Sequence, residues 1–390
     1  MFQVALSLVL MTGAGLLVRS LQNLNQVEIG FDPQNVLLFW IYPGTRSNSA
    51  VDAARLYEDF LQRFNNIPGV LQASMSRHSL MQGAENFMRV SATGNSDAQD
   101  LQTEAAVNTV APGFFATMRI PLLAGRDFSL NDREGAPKVA IINQRFAGIH
   151  FGSASPLGKR ILLDHENQSG NEELEIVGVV NDTRYYSLRQ DGRAPIKEVF
   201  VPFTQASADR LGQMCFALRT VAPPMSVLGE VRREAKVVEK RLPVAFPTTQ
   251  ADVIRDSVRE ERSLAVLTSF FGALALLLSC IGLYGVMSYS VTRRTHEIGI
   301  RLALGAQVGV VLRLVIGQGM KLVLLGVASG LVAAFALTRV LAHLLFGVSA
   351  VDPVTLLAVA LLLVGMGLSA CYFPARRAAK VDPMTALRSE

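Results

Sequence analysis

The chain has 390 residues, of which 50% are hydrophobic and only 18% charged. A soluble chain usually carries about 25% charged residues, so an ordinary soluble domain and a disordered tail are both excluded. The net charge of +5 is unevenly placed: 10 Lys/Arg stand against 4 Asp/Glu from Ala265 onward, leaving 27 against 28 before it. Basicity confined to the most apolar third indicates membrane topology and no nucleic-acid face.

In chain order, residues 1–18 carry no charge before Arg19 and form the first of four runs near the roughly 20 apolar residues a bilayer requires. A cleaved secretory signal is the competing assignment. No Lys or Arg precedes the run, and Arg19-Ser20-Leu21 lacks a small-x-small cleavage pattern, so a retained helix over 1–19 is expected.

Residues 20–262 read as a globular α/β region. Residues 35–42 (NVLLFWIY) predict a buried strand, and 51–66 an amphipathic helix with Tyr57, Phe60, Leu61 and Phe64 on one face. Ile67-Pro68-Gly69 stops that helix before a strand at 70–75. A strand at 214–220 precedes a helix marked by Val227, Leu228, Val231, Ala235, Val238 and Leu242, and Pro243 opens another strand. These two strand–helix–strand units predict one subdomain built from 35–110 and 196–250, interrupted by a strand-rich insertion at 111–195. Within the insertion, 138–143 and 175–181 are strand-like, and 124–127 and 155–158 are turns. Residues 252–262 predict a helix running unbroken into the next span as a stalk.

Three more runs follow within residues 263–390, at 264–292, 322–338 and 353–375. The middle one is short unless Lys321 and Arg339 extend to the two interfaces. A single run would suit a buried core helix, but no soluble fold needs three in one stretch. Arg293, Arg294, Arg301 and Arg313 follow the second span; Arg376, Arg377, Lys380 and Arg388 follow the fourth; the loop 343–352 has no Lys or Arg. The positive-inside rule puts both termini inside and the long segment outside.

No constellation argues for catalysis, a metal or a cofactor. Gly152-Ser-Ala-Ser-Pro-Leu-Gly158-Lys159-Arg160 imitates a phosphate loop, but five residues separate the glycines and Arg160 stands where Ser or Thr must hold magnesium; a turn is expected. His78, His150, His165, His296 and His343 lack metal-ligand spacing. Asp164 and Glu166 read as solvated turn residues, and Cys215, Cys280 and Cys371 build no disulfide framework. Gly326 and Gly330, with Ala334, place small residues on one face of the third span, where helices pack closely in lipid; glycine is also simply common in membrane helices. The segment 293–314 follows the second span at its basic end. There Glu297 and Arg301 support a short helix at i, i+4, with Ile298, Gly299 and Ile300 between them and a glycine break at Gly305. An interfacial connector is the alternative assignment.

Glu297-Ile-Gly-Ile-Arg-Leu-Ala-Leu-Gly-Ala306 resembles the coupling segment of the MacB/FtsX-like ABC permease family. The ending Pro374-Ala-Arg-Arg-Ala-Ala-Lys-Val-Asp-Pro-Met-Thr-Ala-Leu-Arg388 resembles that family's tail. Pro112-Gly-Phe-Phe115 and Pro121-Leu-Leu-Ala-Gly-Arg-Asp-Phe128 resemble its periplasmic core domain, and the chain as a whole resembles the C-terminal module of the duplicated large permeases. The resemblance implies a four-span helical membrane protein of the inner membrane with an α/β periplasmic domain, 20–262. It further implies a separate ABC ATPase bound in trans, a second permease copy in a homo- or heterodimer, and an envelope substrate or protein moved or released by the motion. Glu297, Ile298, Gly299, Arg301 and Gly305 would receive the ATPase. No cytoplasmic segment precedes Met1, so a shortened module or a late start is expected. A regulator of envelope enzymes without transport, or a remnant of a duplicated permease, would have the same fold.

Overall fold

The computed structural model describes residues 2–43, 50–82, 87–92, 103–164, 171–185, 196–294, 300, 307–340 and 352–378. They fall into two compact units, Val27–Ser257 and a second formed by Met1–Gln26 with Val258–Glu390.

In the first unit, β1 (Val36–Ile41), α2 (Ala50–Asn65) and β2 (Val70–Ser76) form one strand–helix–strand unit, following α1 (Phe2–Asn25) of the other unit. Later in the chain, β10 (Met214–Thr220), α5 (Leu228–Val238) and β11 (Ala245–Thr249) form the second. They interleave in the antiparallel order β11-β1-β10-β2, so the two strands of each unit are never neighbours. This is the split, ferredoxin-like arrangement. Leu37, Phe39 and Ile41 alternate onto the face covered by Tyr57, Phe60 and Phe64 of α2 and Val231 and Ala235 of α5. Phe216 lies at its centre, stacked on Phe39 at 5.5 Å and edge-on to Phe64 at 5.3 Å, while the Tyr57 hydroxyl donates to the Leu211 carbonyl at 2.9 Å.

Between the two units the chain builds β3 (Phe87–Ala92), β4 (Thr103–Val110), α3 (Phe114–Met118), β5 (Leu122–Gly125), β6 (Val139–Asn143), α4 (Gln144–Phe151), β7 (Arg160–Asp164), β8 (Glu172–Val180) and β9 (Glu198–Pro202). The order β4-β3-β7-β8-β6-β9 closes on itself, because β9 pairs in parallel with β4 from Ala106↔Glu198 to Val110↔Pro202. Closure removes free edges from this ring, and Val107, Ile142, Ile161, Leu174, Ile176 and Val199 fill it. The strand-rich part is therefore wider than 111–195: β3, β4 and β9 belong to it. The split sheet joins the ring where β2 meets β4, at the pairing Ser76↔Val110.

Two local expectations change. Residues 122–125 form the short strand β5 on β8, which ends at Gly125 with φ 78. The expected unbroken stalk is two helices, α6 (Gln250–Ser257) and α7 (Arg259–Arg293), because the backbone leaves helical geometry at Val258 (φ −111, ψ 11). The Ser257 hydroxyl donates to the Ile254 carbonyl and closes α6.

The second unit packs α1 with α7, α8 (Val308–Val340) and α9 (Pro353–Ala378). All four are long and apolar enough to cross a membrane. The exposed side chains of α7 include Leu267, Phe270, Leu277 and Ile281, as a lipid-facing helix requires.

Candidate functional site

Glu297, Ile298, Gly299, Arg301 and Gly305 lie outside the described residues; the helices on either side of them are described. α7 ends at Arg293, and the following Arg294 donates to the Gln318 amide oxygen on α8 at 3.2 Å. On the α9 side, Arg377 donates to the Tyr284 hydroxyl of α7 at 3.3 Å. These bonds tie the ends of α7 and α9 to neighbouring helices of the bundle. Ile300 is helical and exposed.

Gly326 and Gly330 are both buried on α8. A Cβ at Gly330 would stand 3.0 Å from Leu8 Cβ and 3.1 Å from Ala5 Cα, both on α1, so α1 and α8 meet nearly backbone to backbone there. The Gly326 carbonyl accepts from Ser329 at 3.1 Å, and Ala334 is buried further along.

A polar node holds α1 to α7. The hydroxyls of Ser7 and Ser279 lie 2.7 Å apart; Ser7 also reaches the Ala275 carbonyl, and Ser279 the Gln3 carbonyl. In hydrocarbon such bonds between helices have no competition from water. At the opposite end of α1, Arg19 forms an ion pair with Asp352, whose carboxylate also accepts from the Thr355 backbone N–H at the start of α9. Sequence reading missed both features; the available signal was isolated polar residues inside or bordering apolar runs.

The motif residues of the outer domain bind one another. Asp127 accepts from the backbone N–H of Phe128 at 2.7 Å and of Gly113 at 3.2 Å, joining the two halves of the motif. Arg126 grips Asp132 through two bonds of 2.8 and 2.7 Å, which holds the Asp132 carboxyl below its ordinary range. Gly113 sits at φ 77 against Gln72, where a side chain would clash and strain. These residues set a turn; they present no reacting group.

A second knot gathers the segment that enters the domain. Buried Arg219 donates to the carbonyls of Thr117, Gln34 and Asp32 at 2.6, 2.8 and 2.7 Å. Arg184 N–H bonds the Ile29 carbonyl at 2.9 Å, and Met81 N–H bonds the Tyr185 carbonyl at 2.7 Å. In the same loop, the Thr183 hydroxyl lies 2.8 and 3.1 Å from the two carboxyl oxygens of Glu198. Glu198 is wholly buried, and burial drives its carboxyl well above the ordinary range; the Thr183 bond opposes this and the nearby Asp182 adds to it.

Among the described residues no group of three or more His, Cys, Asp or Glu is placed to hold a metal. Burial, with Arg77 beside it, lowers His78 to about 4, and the His150 ring nitrogen Nε2 meets the Thr103 hydroxyl at 2.9 Å. His165, His296, His343 and Glu166 lie outside the described residues. Burial raises the Cys215 thiol to about 12, leaving it inert. The phosphate-loop imitation is a turn. Gly152 ends α4, Gly158 N–H bonds the Ile176 carbonyl, and strand β7 follows where a phosphate loop needs a helix.

The profile of the MacB-like periplasmic core domain matches residues 1–234, and that of the FtsX-like permease C-terminal region matches residues 269–383. The chain belongs to the MacB/FtsX-like permease family. A macrolide export ATP-binding/permease protein MacB from Marinobacter nauticus is 28% identical over 293 residues, 73% of this chain and 44% of that protein. A pyoverdine export ATP-binding/permease protein PvdT from Pseudomonas syringae pv. tomato is 29% identical over 285 residues, 71% and 42% respectively. The chain thus spans less than half the length of these relatives. The crystal structure of the periplasmic region of MacB from Actinobacillus actinomycetemcomitans aligns at 14% identity and a TM-score of 0.37, covering 61% of this chain and 98% of that one. As a family member the chain is a helical membrane protein with four spans and a large α/β domain outside the membrane.

Proposed function

We propose that this chain is the permease part of an ABC-type transporter in which a separate ATPase drives motion of the outer domain, moving or releasing an envelope substrate. The observation that carries the reading is the order of parts. One span, an α/β domain and three spans carry the two family matches in sequence, with Glu297–Ala306 at the basic end of the second span. Relatives named as macrolide and pyoverdine exporters support export as the direction. The chain itself performs no hydrolysis in this reading, and works in the inner membrane beside a second permease copy.

Glu297 and Arg301 dock the ATPase, and Gly305 sets the bend through which its closure is transmitted. An exposed i, i+4 pair stabilises a helix by only about 0.2–0.5 kcal/mol, so charge reversal at Glu297 should weaken docking far more than folding. The test is ATPase co-purification and vesicle ATPase rate for wild type, Glu297→Lys and Gly305→Val at matched expression. Glu297→Lys should lose the ATPase, and Gly305→Val should retain insertion but lose stimulated hydrolysis. If all three behave alike, the segment is only a connector and the reading fails. Stimulated hydrolysis that releases an envelope hydrolase activity, with no solute moved into vesicles, would favour the regulator.

A further inference from the structure

A cleft of about 670 Å³ opens in the outer domain between α2 and the 133–138 turn that precedes β6, with residues 204–207 as its floor. Small side chains line it: Ala54 from α2, Ala136 from the turn and Ala206 from the floor. On the floor, the Gln205 amide is spent internally, accepting from Val139 N–H and donating to the Pro137 carbonyl. Lys138 is likewise paired with Glu172 at 2.7 Å.

The remaining charges are different. Each wall carries one cation and one anion, Arg55 with Glu58 on α2 and Arg133 with Glu134 on the turn. All four are exposed, and none has an ion-pair or side-chain hydrogen-bond partner among the described residues. Elsewhere in this domain the i, i+3 pairs Glu230–Arg233 and Asp252–Arg255 do close. Arg55 and Glu58, also three residues apart on a helix, form no such pair. The volume is that of a small-molecule site.

We propose that this cleft binds an amphoteric, peptide-sized solute carrying both an ammonium and a carboxylate group. The arginines take the carboxylate and the glutamates the ammonium, while the alanine surface accepts an extended chain with small side chains. The assignment goes beyond ATPase coupling and does not depend on it, since binding is measured with neither nucleotide nor ATPase present.

The test is isothermal titration of the full chain in lipid nanodiscs with tetra-alanine, its C-terminal amide, and its N-acetyl form. Tetra-alanine should bind saturably, and blocking either terminus should weaken it about tenfold, the effect of losing one charged hydrogen-bonded contact. The pair Arg55→Ala/Arg133→Ala should erase the discrimination between acid and amide and keep that between amine and acetyl. Glu58→Ala/Glu134→Ala should do the opposite. These exposed side chains are outside the core, and an unchanged melting temperature verifies the fold. No saturable binding up to about 1 mM, equal affinity for free and blocked peptides, or discrimination that survives both double substitutions would each overturn the proposal.

Discussion

Glu198→Gln tests whether the wholly buried carboxyl on β9 makes the outer domain sensitive to pH. No cation pairs with Glu198 among the described residues, and the Thr183 hydroxyl is its side-chain partner. The folded protein therefore keeps the proton on Glu198 at pH values where the unfolded chain has released it. The folded pKa is raised, so this group's stabilising effect is complete below the unfolded value, about 4.3, and declines as pH rises toward the folded value. The slope is about 1.4 kcal/mol per pH unit for one proton. Glutamine has nearly the same shape, still accepts from Thr183 and cannot ionise, so the variant loses this contribution to the slope. Between pH 5 and 7 the wild type should fall relative to Glu198→Gln by up to about 2.7 kcal/mol, or roughly 5–10 °C for a domain of this size. Scanning calorimetry of the detergent-solubilised full chain at half-unit pH steps measures both curves. Curves that stay parallel from pH 5 to 7 would refute a buried neutral carboxyl. Thr183→Val, which removes the one donor favouring the charged form, should steepen the wild-type slope or extend it to higher pH.

Three further outcomes follow from the packing. Gly330→Val should separate α1 from α8 and cost about 1–3 kcal/mol, read as lost cysteine cross-linking between the helices. Gly317→Val, with nothing within 4 Å of a Cβ there, should leave cross-linking unchanged. Arg126→Gln should destabilise the outer domain by about 1 kcal/mol, since the Arg126 side chain is 51% exposed and solvent screens part of the pair; an unchanged melting temperature would show the turn holds without it. Deleting 111–195 should abolish protease resistance, because β3 would lose its partner β7 and β9 its partner β6, opening the ring, whereas an insertion confined to 111–195 would leave a resistant remainder.

What was legible in the sequence was local. Four helices able to span a membrane follow from the length of charge-free runs, a property each segment carries alone. The core face of α2 followed from Tyr57, Phe60 and Phe64 at helical spacing, and the turn at 155–158 from Pro156 and Gly158. Charge asymmetry separated the membrane part from the outer domain, and the motifs pointed to the family. Strand pairing was not legible. The interleaved order β11-β1-β10-β2 and the closure of β9 onto β4 join residues far apart in the chain, and alternation shows that a strand exists without naming its neighbour. For the same reason 111–195 was too narrow, since β3, β4 and β9 enter the ring only through those pairings. Small residues at Gly326 and Gly330 implied close approach, but that α1 fills the space at Gly330 depended on how the helices assemble. Charged residues behaved likewise: Arg219, Glu198 and Asp352 look like ordinary surface groups in the sequence. Tertiary structure buried the first two and aligned the third with Arg19, because a polar group's role depends on the water that folding removes and the partners it brings near.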